Sequence, residues 1–292
     1  MTEPRPTNSA SPPRTVRKTG ILLILVSAVI FSMAGVFTKG VEAGAWEVIF
    51  WRGVFATFFT LAYILWRGTL RADTIEMGWS GLAAAAIGAS ATAAFLTAFK
   101  LTTMANVILI YAAAPLFAAA FTYIIIREKL SLAAGIGCLT AFVGVWIIVQ
   151  GASGGGSFTG DLLALWMTIG MSFVIAIYRI WPNTPAAGPA ALSSILLLPF
   201  GYVFGDIFVI SAFDFTMLAL FGLIFAAASV TLAEGVKRVA AGEAALLSTL
   251  ETPLAPILGW LFFMEVPAAT TFIGGGIIFA AVLGSQLFSK DN

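Results

Sequence analysis

The chain has 292 residues, 60% of them hydrophobic and 10% charged, with 15 basic and 14 acidic side chains and a mean hydropathy of +1.01. A soluble domain carries roughly 25% charged residues, so this composition excludes a surface solvated all round. With no histidine and one cysteine, Cys138 inside an apolar run, it offers no disulfide framework, metal cluster or cofactor ligation. The net charge of +1 contains no basic block for nucleic acid.

Residues 1–19 are rich in Pro, Thr and Ser, with Arg5, Arg14, Arg17 and Lys18, and read as a disordered cytoplasmic tail. The apolar run at 20–38 outlasts the roughly 7–15 residues of a signal-peptide core and lacks a small-residue cleavage site. It therefore reads as an uncleaved first span. Runs of similar length follow at 46–66, 78–99, 104–126 and 132–150, and again at 160–180, 188–205, 214–235, 242–264 and 268–288. Each suits roughly 30 Å of hydrocarbon, where the backbone of an isolated span is satisfied only as a helix. The pattern predicts an all-α integral membrane protein with ten transmembrane helices. Residues 151–159 form a Gly/Ser-rich linker between the halves; no Gly-Lys-Ser/Thr follows to make it a phosphate loop. Residues 289–292 read as a short cytoplasmic tail.

The second half repeats the first. Residues 100–150 align with 237–288, with Lys100 on Lys237 and Arg127-Glu128 on Met264-Glu265. Further upstream, Leu22-Leu23-x-Leu25 matches Leu162-Leu163-x-Leu165, and Ser32 through Lys39 matches Ser172 through Arg179. An odd number of spans per unit gives the two copies, 20–150 and 160–288, opposite orientations. Inverted repeats of this kind are typical of alternating-access transporters. Lys and Arg set the orientation. With both termini cytoplasmic, twelve of the 15 basic residues lie inside and only Lys39, Arg52 and Lys100 outside.

Few polar residues lie deep in the spans. Glu251 follows Glu243 by eight residues, roughly 12 Å along a helix, at a depth where a charge costs about 2.5–3.5 kcal/mol on insertion scales. It reads either as a substrate-amine contact or proton-linked carboxylate, or as a structural group serving backbone freed near Pro253 and Pro256. Pro115 and Pro253 each remove a helical hydrogen bond inside a span. Breaks at matching places mark a central site, although plain kinks give the same pattern. Tyr111 and Ser248 are repeat equivalents, and Ser248 shares a helical face with Glu251; they suggest a polar patch between the fourth and ninth spans. Trp166 lines a cavity for an aromatic solute or serves packing and the interfacial belt. Arg52 is expected to pair with Glu47 or reach the outer interface, with substrate contact as the alternative; Lys39 and Arg179 are expected to anchor span ends or form gating ion pairs. Asn106 reads as a helix cap or a cavity wall. Gly135-x-Gly137 and Gly274-Gly275-Gly276 allow close helix approach.

Tyr111-Ala-Ala-Ala-Pro115 through Arg127-Glu128-Lys129-Leu130, paired with Leu250-Glu251-Thr-Pro253 through Met264-Glu265, resembles the double motif of the drug/metabolite transporter superfamily. The chain is similar there to ten-helix EamA-type carriers, and more loosely to bacterial aromatic amino-acid exporters; Trp51-Arg52 fits the same pattern. The resemblance covers residues 20–288. One departure is that Thr252, not Pro253, occupies the place of Pro115. The resemblance implies ATP-independent transport and favours an acid at position 251. The expectation is then a secondary transporter, not an enzyme, in the inner membrane. It would move amino acids, aromatic ones among them, outward by alternating access, with the lipid bilayer and a small-molecule substrate as its partners. Other amphiphilic metabolites or drugs are the alternative substrates. A channel would need a continuous polar stripe, and a membrane-embedded enzyme a His, Asp or Cys cluster; the spans show neither. Monomer and homodimer both stay open.

Overall fold

The computed structural model describes residues 14–127, 132–151, 157–236, 238–239, 247–248 and 250–288. Residues 1–13 and 289–292 of the expected tails lie outside them, as do Glu128-Lys129-Leu130, residues 152–156 of the linker, Lys237 and Glu243. Among the described residues the regular elements are helices: α1 (Arg14–Ser32), α2 (Ala34–Lys39), α3 (Ala45–Arg67), α4 (Leu70–Thr74), α5 (Gly78–Leu101), α6 (Met104–Tyr111) and α7 (Ala114–Ile126). After these come α8 (Leu132–Gln150), α9 (Phe158–Ile180), α10 (Ala187–Phe204), α11 (Ala212–Val236), α12 (Glu251–Phe263) and α13 (Ala269–Phe288).

Among the described residues seven stretches are long and apolar enough to cross a membrane: Thr15–Lys39, Ala45–Arg67, Gly78–Leu101, Met104–Ile125, Phe158–Ile180, Ala187–Phe204 and Ala212–Val236. Gly135–Gln150 and Ala269–Ser285 are shorter apolar helical stretches. One boundary differs from expectation. Helix α1 begins at Arg14, so residues 14–19, read as disordered tail, are helical. Pro12-Pro13 bars helix for the residues before it but not after it, and Thr15-Val16-Arg17-Lys18 carries no further breaker.

Local signals place the other ends. Thr103 accepts the N–H of Asn106 at 3.2 Å to cap α6, and Ser157 accepts that of Gly160 at 3.4 Å to cap α9. Gly68, at φ 68°, closes α3 in the left-handed conformation that glycine adopts without strain. Helices α7 and α12 each run 13 residues and end on a non-glycine left-handed residue, Arg127 at φ 53° and Met264 at φ 54°. These are the two positions that the sequence repeat aligns.

Packing is dominated by a few pairs: α5 on α9, α1 on α11, α3 on α10 and α11, α10 on α5, α8 on α13, and α6 on α12. Helices α8 and α13 cross closely at Gly144 and Gly274. A Cβ on either would meet the other's carbonyl oxygen at 2.7 or 2.5 Å, so only glycine permits it. Both ends of the bundle are tied. At one, Lys39 pairs with Glu265, which also accepts the Met104 N–H at 2.8 Å. Of the two readings of Lys39, the ion pair is the one found. At the other, Arg67 and Arg238 reach the two carboxylate oxygens of Glu234 at 3.0 and 2.9 Å.

Candidate functional site

The fourth span is broken. Helix α6 stops at Tyr111, Ala112 and Ala113 form a turn, and α7 restarts with Pro115 in its first turn. There proline's missing N–H costs no helical bond. In the ninth span, α12 begins at Glu251 with Pro253 as its third residue. Because α6 packs against α12, the two interruptions face each other. Tyr111, half-buried, lies within electrostatic reach of Glu251. Ser248 is also half-buried, just upstream of α12. Among the described residues no hydrogen bond or ion pair reaches the half-buried Glu251 carboxylate.

A second charge lies unexpectedly deep. Arg52, seven residues into α3 and so roughly 10 Å from its start, is only 3% exposed. It neither pairs with Glu47 nor reaches the interface, which corrects both expectations. Positions five apart diverge around a helix, and Glu47 instead accepts the Asp206 N–H at 2.8 Å. The Arg52 guanidinium lies over Phe225, 4.5 Å from the ring centroid, and 5.6 Å from that of Phe221. Phe31 of α1 packs edge-on against Phe225, and Phe37 of α2 stacks on Phe221, with centroids 5.4 Å apart in each case. Gly222 makes the arrangement feasible: a Cβ there would meet Phe55 Cβ at 2.5 Å, so α3 and α11 approach at backbone distance. Arg52 Nε is buried without a hydrogen-bond partner, and so is Ser27 Oγ, one turn from Phe31 on α1. Desolvating an ion costs several kcal/mol, whereas a cation–π contact returns about 2. The rings therefore hold Arg52 without neutralising it.

Trp166 sits elsewhere. It is 57% exposed on α9, and its indole N–H donates to Ser90 Oγ of α5 at 2.9 Å. Asn106 is neither cap nor open wall. Its amide donates to both oxygens of Asp161 at 3.0 Å, and its carbonyl accepts from Thr271 at 2.7 Å. Asp161 also accepts from Thr102 at 2.6 Å, completing a buried network across α6, α9, α13 and the end of α5. Asp161 was visible as an acid two residues past a Gly/Ser linker. Its place in the first turn of a span made it look like an ordinary N-terminal acid.

Two cavities flank these groups. An apolar groove of about 380 Å³ runs between α6, α12 and α13, lined by Leu109, Thr252, Pro253, Pro256 and Phe279 among others. A vestibule of about 640 Å³ near α3 and α11 is lined by Glu42, Glu47, Asp206 and Asp214. Among the described residues no group of His, Cys, Asp or Glu is arranged to hold a metal ion.

A bundle of long apolar helices marks a multi-pass membrane protein. Residues 18–150 match the model of the EamA-like transporter family. The chain is 25% identical to mouse (Mus musculus) solute carrier family 35 member G1 over 293 residues, which span 92% of this chain and 78% of that one. The family and the solute carrier are transporters, not enzymes. A solved crystal structure superimposes with a TM-score of 0.67 at 17% identity, covering 94% of this chain and all of that one, and so shares its fold.

Proposed function

We propose that the whole chain is a drug/metabolite transporter of the EamA type. It is a secondary carrier of ten spans in two inverted halves that moves small organic metabolites across the inner membrane by alternating access. Amino acids moved outward are the leading substrates, and both termini are cytoplasmic. The observation that carries this reading is Glu251, an acid with no hydrogen bond or ion pair among the described residues, at the start of α12 and within electrostatic reach of Tyr111 at the break in the fourth span.

Packing supports the inverted halves. Exchanging the five spans of one half for those of the other turns the α5–α9 contact into α11–α1, and α3–α11 into α10–α5. The pairs α3–α10, α6–α12 and α8–α13 exchange with themselves. A bundle so related to itself has two near-equivalent conformations, and a solute with differential affinity for them shifts their populations. In this conformation the Lys39–Glu265 and Arg67–Glu234 ion pairs link helices at opposite ends of the bundle.

Purified protein in ATP-free liposomes is expected to show saturable counterflow of an amino acid, dependent on substrate in the opposing compartment. Counterflow of other amphiphiles alone removes the amino-acid assignment. Unsaturable flux indicates a channel, and no flux of any organic solute under any gradient contradicts the carrier.

A further inference from the structure

We propose that Arg52 is the anion-binding residue of the transport site, and that it receives the carboxylate of a substrate whose apolar part lies against Phe225. The inference rests on the carrier reading above and names its substrate class: arylalkyl and similar apolar monocarboxylates, amino acids with such side chains included.

The warrant is the guanidinium's unmet chemistry. An arginine cannot shed its charge by deprotonation. Buried to 3% exposure, it would ordinarily be paired with a carboxylate, yet among the described residues no hydrogen bond or ion pair reaches it. Its Nε is buried without an acceptor, and Ser27 Oγ, another orphan, lies one turn from the Phe31 ring that packs on Phe225. A buried guanidinium nitrogen without a partner against an aromatic cluster makes a place where a ligand oxygen satisfies what the described residues do not. The planar fork of five N–H donors matches a carboxylate bidentately.

The charge count selects the anion. Among the described residues no ion pair reaches Arg52, so one guanidinium charge is there to be met. A phosphoryl dianion would leave net negative charge in the bundle; a monocarboxylate leaves none. Phe225, half-buried and 4.5 Å from the guanidinium carbon, supplies apolar surface for a tail, with the buried Phe221 behind it stacked on Phe37. Helix α1 packs against both α11, which carries these rings, and α12, which begins at Glu251, so a movement of α1 reaches both charges.

The probes are benzoate through 4-phenylbutanoate, each paired with the amine and amide of the same carbon skeleton, tested on the purified full chain by thermal shift and by counterflow. At least one carboxylate is expected to stabilise the wild type where its amine and amide do not. Arg52→Gln should weaken that effect by about 10- to 100-fold, the range of a charge-assisted pair. Arg52→Lys, with the charge but not the fork, should fall between. Arg52→Met serves as the second variant if the Gln protein does not fold, because it removes the buried charge altogether. Carboxylate binding that survives Arg52→Gln or Arg52→Met in folded protein overturns the proposal. So does preference for the amine, or no stabilisation by any carboxylate. Counterflow of amines or amides that ignores Arg52→Gln also overturns it while leaving the carrier standing. Absence of counterflow for every solute tells against the carrier alone, because the thermal shift still reports on Arg52.

Discussion

Replacing Glu251 by Gln is expected to cut saturable flux by about tenfold or more while leaving the melting temperature of the purified protein close to wild type. The carboxylate has no hydrogen bond or ion pair among the described residues, so the substitution breaks no contact that holds the bundle together. It does remove the charge that would meet a substrate amine or a proton. A hydrogen bond to a charged group contributes about 1.5–3 kcal/mol, and about 1.4 kcal/mol is tenfold in a rate or an affinity. Tyr111→Phe, removing only the hydroxyl near Glu251, should give a smaller loss. Flux in Glu251→Gln equal to wild type at every pH would reduce the residue to a structural carboxyl beside Pro253.

Asp161→Ala should do the opposite, with stability falling first and transport only in consequence. Asp161 accepts from Thr102 Oγ1 and, with both oxygens, from Asn106 Nδ2, and all three residues are buried. Truncation leaves a hydroxyl and an amide without acceptors in an apolar bundle. Stranding buried donors costs about 1–3 kcal/mol for each group, so a loss of the order of 3 kcal/mol is expected by thermal denaturation in detergent. Asp161→Asn keeps an acceptor and should lose less. An Asp161→Ala protein that melts with wild type would show that the network does not hold α6, α9 and α13 together.

The two residues differ in how far sequence reveals them. Glu251 stands out because an acid far inside an apolar run has to be explained, and Ser248, on its helical face, is the repeat equivalent of Tyr111. The helical spans are legible for the same reason: hydropathy and length are local properties. The tail boundary failed by one feature, since Pro12-Pro13 marks a helix start as readily as the end of disorder. Arg52 was misassigned because its environment is made by Phe221 and Phe225, more than half the chain away in sequence, and by Gly222 letting α11 approach α3. Nothing near Arg52 in sequence announces that approach. Trp166 was open for a related reason. A helix apolar nearly all round does not disclose which face it turns to its neighbours, and here the indole turns to Ser90. Glu265 shows a limit of the repeat: aligning it with Glu128 does not disclose that it joins Lys39 to the Met104 N–H.

The claim on which the account depends is that the two halves oppose each other across the membrane. Reporter insertion tests it directly, with fusions placed after Lys129, within residues 152–156 and after Lys290. The first and third are expected to report the cytoplasm and the second the opposite side. A cytoplasmic signal from the 152–156 fusion would contradict the inverted halves, and with them the exchange of conformations on which alternating access depends.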